Sequence, residues 1–317
     1  MADPGTAGAH ASGTTAILAA FLANLGIAVA KLVGFVFTSS SAMLAESVHS
    51  FADTGNQALL LFGGKSARRA PSREHPFGYG RERYFWAFVV AVVLFTLGSV
   101  FALYEGIDKL RHPHELESPL WAIGILTGAI VLECASLWTA IAAANPLRNG
   151  ASWWSFIRNS KAPELPVVLL EDAAALFGLV IALVAVGVAM ITDNARWDGA
   201  GTVAIGLLLG VIAIVLAIEM RSLLIGEAAS TSDLEAITET IGSSPHVERL
   251  IHMKTQHLGP DELLVAAKVA FPPDLTFRDV AVAIDELEAR VRERVPYARA
   301  IYVEPDVDRT RDETPKS

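Results

Sequence analysis

Apolar runs of about 20 residues recur along this chain, the length an α-helix needs to cross the hydrocarbon core of a bilayer. Six candidate spans can be drawn, at roughly Thr14–Thr38, Ser41–Gly63, Tyr84–Tyr104, Leu120–Ala144, Leu165–Ile191 and Gly199–Leu224. With 52% hydrophobic residues, the 317-residue chain reads as a multi-pass α-helical membrane protein rather than a soluble domain.

Charge in the loops sets the orientation. Lys65, Arg68, Arg69, Arg73, Arg81 and Arg83 follow the second span, and Arg148, Arg158 and Lys161 follow the fourth. The opposite loops carry Lys109, Arg111 and Arg196. The positive-inside rule therefore puts both termini in the cytoplasm. Trp153 and Trp154 on the basic side, and Trp121 and Trp197 on the other, suit interfacial layers. The formal net charge of -9 argues against nucleic acid as a partner. The single cysteine, Cys134, excludes an intrachain disulfide and a thiolate metal site. No Lys or Arg precedes the first apolar run, which matches a cleaved signal peptide poorly, so residues 1–13 are expected to be a disordered tail before an uncleaved span. Phosphate-binding Gly loops, nucleophile elbows and metalloprotease-type His pairs do not occur, so no enzyme is expected.

Beyond Leu224 the pattern changes. Ser232–Ser243 reads as a helix with Ser230 or Ser232 as its N-cap. Val247–Gln256 and Glu262–Phe271 read as strands joined by a turn at Leu258–Asp261. Thr276–Val295 is amphipathic, with Val280, Ile284, Leu287 and Val291 on one stripe, and Ala298–Glu304 reads as a third strand. The order α-β-β-α-β predicts a small α+β domain. The expected division is a tail at residues 1–13, a six-helix transmembrane domain at 14–224, a cytoplasmic domain at 225–306 and a disordered tail at 307–317.

Within the second span stand Glu46, His49 and Asp53, whose i, i+3, i+7 spacing puts them on one helix face. A charge at bilayer depth costs at least a few kcal/mol, so such groups are functional by default. Glu171 and Asp172 lie in the fifth span; being adjacent, they point about 100° apart. Imidazole with carboxylates suits a borderline divalent ion such as zinc, whereas an all-oxygen set leans toward manganese or magnesium. The same groups bind protons, which a metal must displace. That competition is the minimum machinery of metal/proton exchange. A plainer reading pairs one acid with a cation across the bundle, with Lys31 and Glu133 as candidates, but the spans hold too few cations to neutralise the whole set. Asn24, Asn56 and Gln57 are open to service as outer ligands or as hydrogen bonds between helices. Gly206 and Gly210 make a GxxxG in the sixth span.

Taken in order, these motifs resemble the cation diffusion facilitator family of metal/proton antiporters, from about Thr14 to Asp306. SAMLAESVHSFADTGNQ resembles that family's H-x-x-x-D helix, with His49 and Asp53 in the ligand positions. His75-Pro76-Phe77-Gly78-Tyr79-Gly80-Arg81 resembles its H-P-[FY]-G-x-G-[KR] loop, and Leu223–Ala229 its hinge before the cytoplasmic domain. The string LLEDAAAL is similar to the branch containing the animal ninth zinc transporter and its bacterial relatives. Two departures stand out. Val168 stands where the histidine of the fifth span's H-x-x-x-D is expected, leaving Glu171 as the substitute donor beside Asp172. Lys268, Tyr302 and Ala281 stand where the cytoplasmic domain's metal-binding histidines are expected, so its binuclear site should not assemble.

The resemblance implies a metallochaperone-like cytoplasmic domain, a homodimer, and efflux of a divalent cation, zinc first, exchanged for protons by alternating access. Manganese, iron or cobalt is the alternative cargo, and a transport-silent regulatory or scaffolding membrane subunit the alternative role. The implied metal ligands are His49, Asp53, Asp172 and Glu171, with Glu46 and, in the cytoplasmic loop, His75 as further candidates. No prosthetic group is expected; the expected partners are the metal ion, protons, lipid and a second copy of the chain. The lean loops suggest a bacterial inner membrane.

Overall fold

The computed structural model describes residues 21–22, 25–39, 41–113, 119–148 and 150–307, without the side chains of residues 41, 42, 45, 46, 95 and 119. The expected start of the first span at Thr14, the 1–13 tail, all but Val307 of the 307–317 tail, and Asn24 lie outside the described residues.

The chain divides into two compact units. One ends at Lys65 and resumes over Phe85–Arg221; the other comprises Ser66–Tyr84 and everything from Ser222. Among its described residues the first unit is built of helices and no strands, as suits hydrocarbon, where each backbone N–H and C=O has to find its partner within the segment. Its helices are α1 (Leu25–Thr38), α2 (Ser41–Ala67), α3 (Glu82–Val93), a π-helical turn (Leu94–Val100), α4 (Phe101–Arg111), α5 (Pro119–Arg148), α6 (Trp153–Asn159), α7 (Glu164–Thr192) and α8 (Arg196–Ile225). Among the described residues, four stretches are long and apolar enough to span a membrane: Glu82–Arg111, Leu120–Arg148, Glu164–Thr192 and Arg196–Ile225. Helix α2 is 27 residues long, about 40 Å at the helical rise, but its polar face lowers its hydropathy.

The spans are apolar on both faces, unlike helices of soluble proteins. On α8, Ile205, Leu209, Leu216 and Met220 are buried while Leu207, Val211, Ile214 and Ile218, on the other side, are exposed. The second set is what lipid would cover. Gly206 and Gly210 let α8 approach the α3–α4 stretch closely. A Cβ on Gly206 would stand 2.9 Å from the Leu103 amide nitrogen, and one on Gly210 would stand 2.8 Å from Ser99 Oγ. Ser99 Oγ donates to the Gly206 carbonyl at 2.8 Å.

The helices run past the ends drawn from hydropathy: the second continues to Ala67 and the third to Arg111. Hydropathy marks the hydrocarbon layer, whereas the hydrogen-bond ladder continues into the interface, where polar side chains are solvated. Helix α6, whose N-cap Ser152 accepts from the Ser155 amide, and the π-helical turn were not expected from the pattern.

In the second unit, α9 (Thr231–Gly242) begins at its N-cap Ser230, β1 (Arg249–Gly259) and β2 (Glu262–Ala270) form an antiparallel pair, and α10 (Phe277–Arg294) crosses to β3 (Ala300–Asp306). The sheet order is β1-β2-β3 with β2 and β3 parallel. A parallel pair requires a crossover, which α10 supplies. Thr276 and Asp279 close a capping box at its start. Leu287 and Val291 of α10 meet Ile237, Ile241, Val265 and Val269 in the core. The order α-β-β-α-β is therefore present. The boundaries differ by a few residues: β1 extends to Gly259, two residues into the expected turn, and β3 starts at Ala300 rather than Ala298.

Candidate functional site

Helix α2 carries the polar face of the first unit. His49 and Asp53 are one helical turn apart and Asn56 one turn further, so the three share a face, and all are buried. His49 Nε2 lies 3.5 Å from Asp53 Oδ2, within ion-pair reach but not aligned as a hydrogen bond. Among the described residues, both imidazole nitrogens of His49, Asp53 Oδ1, Asn56 Oδ1 and Gln57 Oε1 are buried without a hydrogen-bond partner. Unsatisfied buried polar atoms are few in folded proteins, and each asks for a reason.

Glu171 and Asp172 on α7 are also buried, and they turn to different neighbours. Asn56 Nδ2 donates to Glu171 Oε1 at 2.7 Å, tying α7 to α2. Ser136 Oγ donates to Asp172 Oδ2 at 2.9 Å, tying α7 to α5. Adjacent positions on a helix point about 100° apart, which is why one acid reaches each neighbour. Two further buried ionisable groups complete the set: Glu133 on α5, and Lys31 on α1, whose Nζ donates to Ser50 Oγ at 2.6 Å. Asp53, Glu133, Glu171 and Asp172 are thus four buried carboxyl groups of the first unit, and Lys31 is a buried amine. Electrostatic interactions connect Asp53 with Glu171, Glu133, Lys31 and Asp172.

The expected residues are thereby distributed in an uneven way. His49 and Asp53 are adjacent, and Glu171 is bound to their helix through Asn56, while Asp172 is held by α5. Among the described residues, no three His, Cys, Asp or Glu side chains are gathered tightly enough to hold one ion between them. The side chain of Glu46 lies outside the described residues. Ser136 was not singled out from the sequence. Its signal was a hydroxyl three residues after Glu133 in an apolar span, the spacing of one helix face.

His75 belongs to the other unit and is exposed. Its ring stacks on Tyr79 with centroids 4.6 Å apart, its amide donates to Ser72 Oγ, and its carbonyl accepts from the amides of Ser72 and Gly78. Those contacts order the Pro- and Gly-containing loop. In the sheet, Lys268 Nζ lies 2.9 Å from Glu304 Oε1 and 3.1 Å from Asp306 Oδ2. An ammonium thus neutralises the carboxylates where histidine ligands were expected. His252 is exposed and His257 buried, on opposite sides of β1.

Residues 17–225 match the cation efflux transmembrane domain, and residues 229–306 match the cytoplasmic domain of cation efflux proteins. The chain is 36% identical over 246 residues to the mitochondrial proton-coupled zinc antiporter SLC30A9 of Xenopus laevis, covering 76% of this chain and 44% of that one. It is 34% identical over 241 residues to metal tolerance protein C4 of Arabidopsis thaliana, covering 75% and 53%. It is 24% identical over 288 residues to magnetosome protein MamB of Paramagnetospirillum magneticum, covering 89% and 90%. The chain thus spans less than half the length of the antiporter it matches. A solved MamM C-terminal domain aligns with 24% of the chain and 95% of its own length at 16% identity and a TM-score of 0.23, a likeness on which nothing further rests.

Proposed function

The chain belongs to the cation efflux family, and from that premise we infer that it carries a divalent metal ion, zinc, out of the cytoplasm in exchange for protons. The observation that carries the reading is the pair His49 and Asp53, buried on one face of a membrane helix, with both imidazole nitrogens and one carboxylate oxygen unpartnered among the described residues. An imidazole beside carboxylates is the donor set that a borderline dication such as zinc favours. Asp172 and Glu171 supply further oxygens from α7. Glu171 reaches an ion by exchanging its hydrogen bond with Asn56, and Asp172 by exchanging its bond with Ser136. Glu46, one turn before His49, is the remaining candidate ligand on α2.

Metal and protons compete for these groups, so an inward proton flow can drive the ion outward as the site opens to alternate faces. The SLC30A9 relatives, proton-coupled zinc antiporters by name, support the same exchange. We further infer six membrane crossings, with α1 and α2 joining the four apolar stretches. The match of residues 229–306 to the cytoplasmic domain of cation efflux proteins supports a cytoplasmic dimerisation domain, and with it a homodimer as the working unit. The basic loops after the second and fourth spans support cytoplasmic termini in a bacterial inner membrane. Lys268 in place of a histidine supports a cytoplasmic domain that works without its own binuclear metal site.

Manganese, iron or cobalt is the second reading. What favours it is the all-oxygen donor pair on α7, where Val168 stands one turn before Asp172. Purified protein in proteoliposomes with a zinc-sensitive dye and an imposed pH gradient tests the proposal. Zinc uptake should depend on the gradient and fall at least 100-fold in Asp53→Ala and in Asp172→Ala, with the dimer intact (estimate for loss of a direct ligand, roughly 3 kcal/mol). Flux from either variant at the wild-type rate would count against it. Flux of manganese, iron or cobalt that excess zinc does not inhibit would favour the second reading, and no flux of any metal would favour a regulatory subunit.

A further inference from the structure

We propose that Lys31 is the fixed counter-charge of the intramembrane site: a positioning residue whose ammonium weakens the site's hold on a dication enough for the ion to be released. The inference rests on the export reading above and adds to it a residue that sets affinity and turnover. Lys31 is fully buried in α1, and its Nζ donates to Ser50 Oγ at 2.6 Å. Ser50 follows His49 directly and stands three residues before Asp53, so the bond fixes the ammonium against the ligand-bearing stretch of α2. The charge acts on His49, on Asp53 and on Glu133 of α5.

Packing alone does not call for an ammonium here. A charge at bilayer depth is costly, and an apolar side chain would fill the space without that cost. Holding Ser50 does not call for one either, since an amide can also donate to a hydroxyl. What a lysine adds over methionine or glutamine is an amine that can carry a positive charge facing the carboxyl groups of Asp53 and Glu133. Without it, a site with that much negative charge in a low dielectric would bind a dication tightly and let go slowly. At the effective dielectric of protein sites, a unit charge about 12 Å from a divalent ion shifts its affinity by about a hundredfold, and a closer one shifts it by more. That shift is large enough to separate a transporter from a metal trap.

Zinc binding to the full-length protein in detergent, by titration calorimetry, and zinc flux in proteoliposomes provide the test. Lys31→Met and Lys31→Gln should bind zinc about tenfold more tightly or better, with a lower KM and a lower maximal flux. Lys31→Arg keeps the charge and should restore both parameters to within about threefold of wild type. Unchanged zinc affinity in the neutral variants, or an arginine variant that behaves like them, overturns the proposal. Should the neutral variants not fold, Glu133→Gln removes one carboxyl group that faces Lys31 and so lessens the charge left unbalanced by its loss. Adding Lys31→Met to it should tighten zinc binding about tenfold over Glu133→Gln alone, and equal affinities overturn the proposal. Absence of zinc flux in the wild type would instead sink the export reading, which separates the two failures.

Discussion

Asn56 Nδ2 donates to Glu171 Oε1 across 2.7 Å, joining two helices that are 115 residues apart in sequence. The contact holds a buried acid of α7 against the face of α2 that carries His49 and Asp53. It also withholds one Glu171 oxygen from any ion at that face. Replacing Asn56 therefore has two opposed effects. The lost hydrogen bond leaves a buried acid without its donor, which costs about 1–3 kcal/mol. The released carboxylate becomes easier for a cation to recruit. Asn56→Ala is expected to lower the melting temperature in detergent, and added zinc should raise that temperature more in the variant than in the wild type. A variant that melts with the wild type would show that the bond has no such role.

The core of the cytoplasmic domain allows a simpler expectation. Leu287 is 1% exposed and lies between α9 and the sheet, with Ile237, Ile241 and Val265 in the same cluster. Leu287→Ala should destabilise this domain by about 2–5 kcal/mol, the usual cost of a large-to-small change in a packed core. Val282, on the same helix but 51% exposed, should tolerate alanine within about 0.5 kcal/mol. Denaturant unfolding of the full-length chain, followed by circular dichroism, measures both. Equal losses at the two positions would contradict the packing described.

Much of this architecture was legible in the sequence because it follows from period and length. The stripe through Val280, Ile284, Leu287 and Val291 specifies which face of α10 is covered, and Thr276 with Asp279 marks its start. Long apolar runs likewise announce the spans. What did not show was the direction in which adjacent acids turn. Periodicity says that Glu171 and Asp172 diverge, but not that one finds Asn56 and the other Ser136, since the partners lie on helices 115 and 36 residues away. The π-helical turn at Leu94–Val100 has no local signature either; it sits where Gly98 and Ser99 pack against Leu209 and Gly206. His75 shows the opposite limit. Its motif was plain, yet the ring lies stacked on Tyr79 within its own loop.

Alkaline pH offers a separate probe of the cytoplasmic domain. Tyr297 Oη donates to Asp233 Oδ2, which also receives the Ser230 hydroxyl at the start of α9. Burial first, and then the hydrogen bond to Asp233 and that carboxylate's charge, push the Tyr297 phenol above its ordinary value. A group that holds its proton more tightly when folded gives its full stabilisation below the unfolded value, about 10 for tyrosine, and loses it as pH rises further. The domain should therefore weaken progressively above about pH 10. Tyr297→Phe should cost about 1 kcal/mol at neutral pH and flatten that alkaline decline. Thermal unfolding between neutral pH and about pH 11 reads both effects, and an identical decline in the variant would refute the assignment.

The loop between α2 and α3, with the first turn of α3, meets the β1–β2 turn in two ways, and their magnitudes differ. Arg83 Nη1 pairs with Asp261 Oδ2 at 2.8 Å, but the Asp261 side chain is 82% exposed, so the pair is solvated on one side. Such pairs contribute about 0–1 kcal/mol. Gly80, by contrast, lies directly on the backbone of the turn: a Cβ there would stand 2.8 Å from the Leu258 carbonyl oxygen and 3.1 Å from Gly259 Cα. Backbone cannot rotate away as a side chain tip can, so Gly80→Ala must push the loop off the hairpin, at about 1–3 kcal/mol. Steric contact should therefore dominate over charge. The loop contains Arg68, Arg69, Arg73 and Arg81, which makes trypsin a direct reporter of its docking. Cleavage in this segment is expected to accelerate severalfold in Gly80→Ala and to change little in Asp261→Ala. If Asp261→Ala opened the loop as readily as Gly80→Ala, the ion pair rather than the glycine contact would be what holds it.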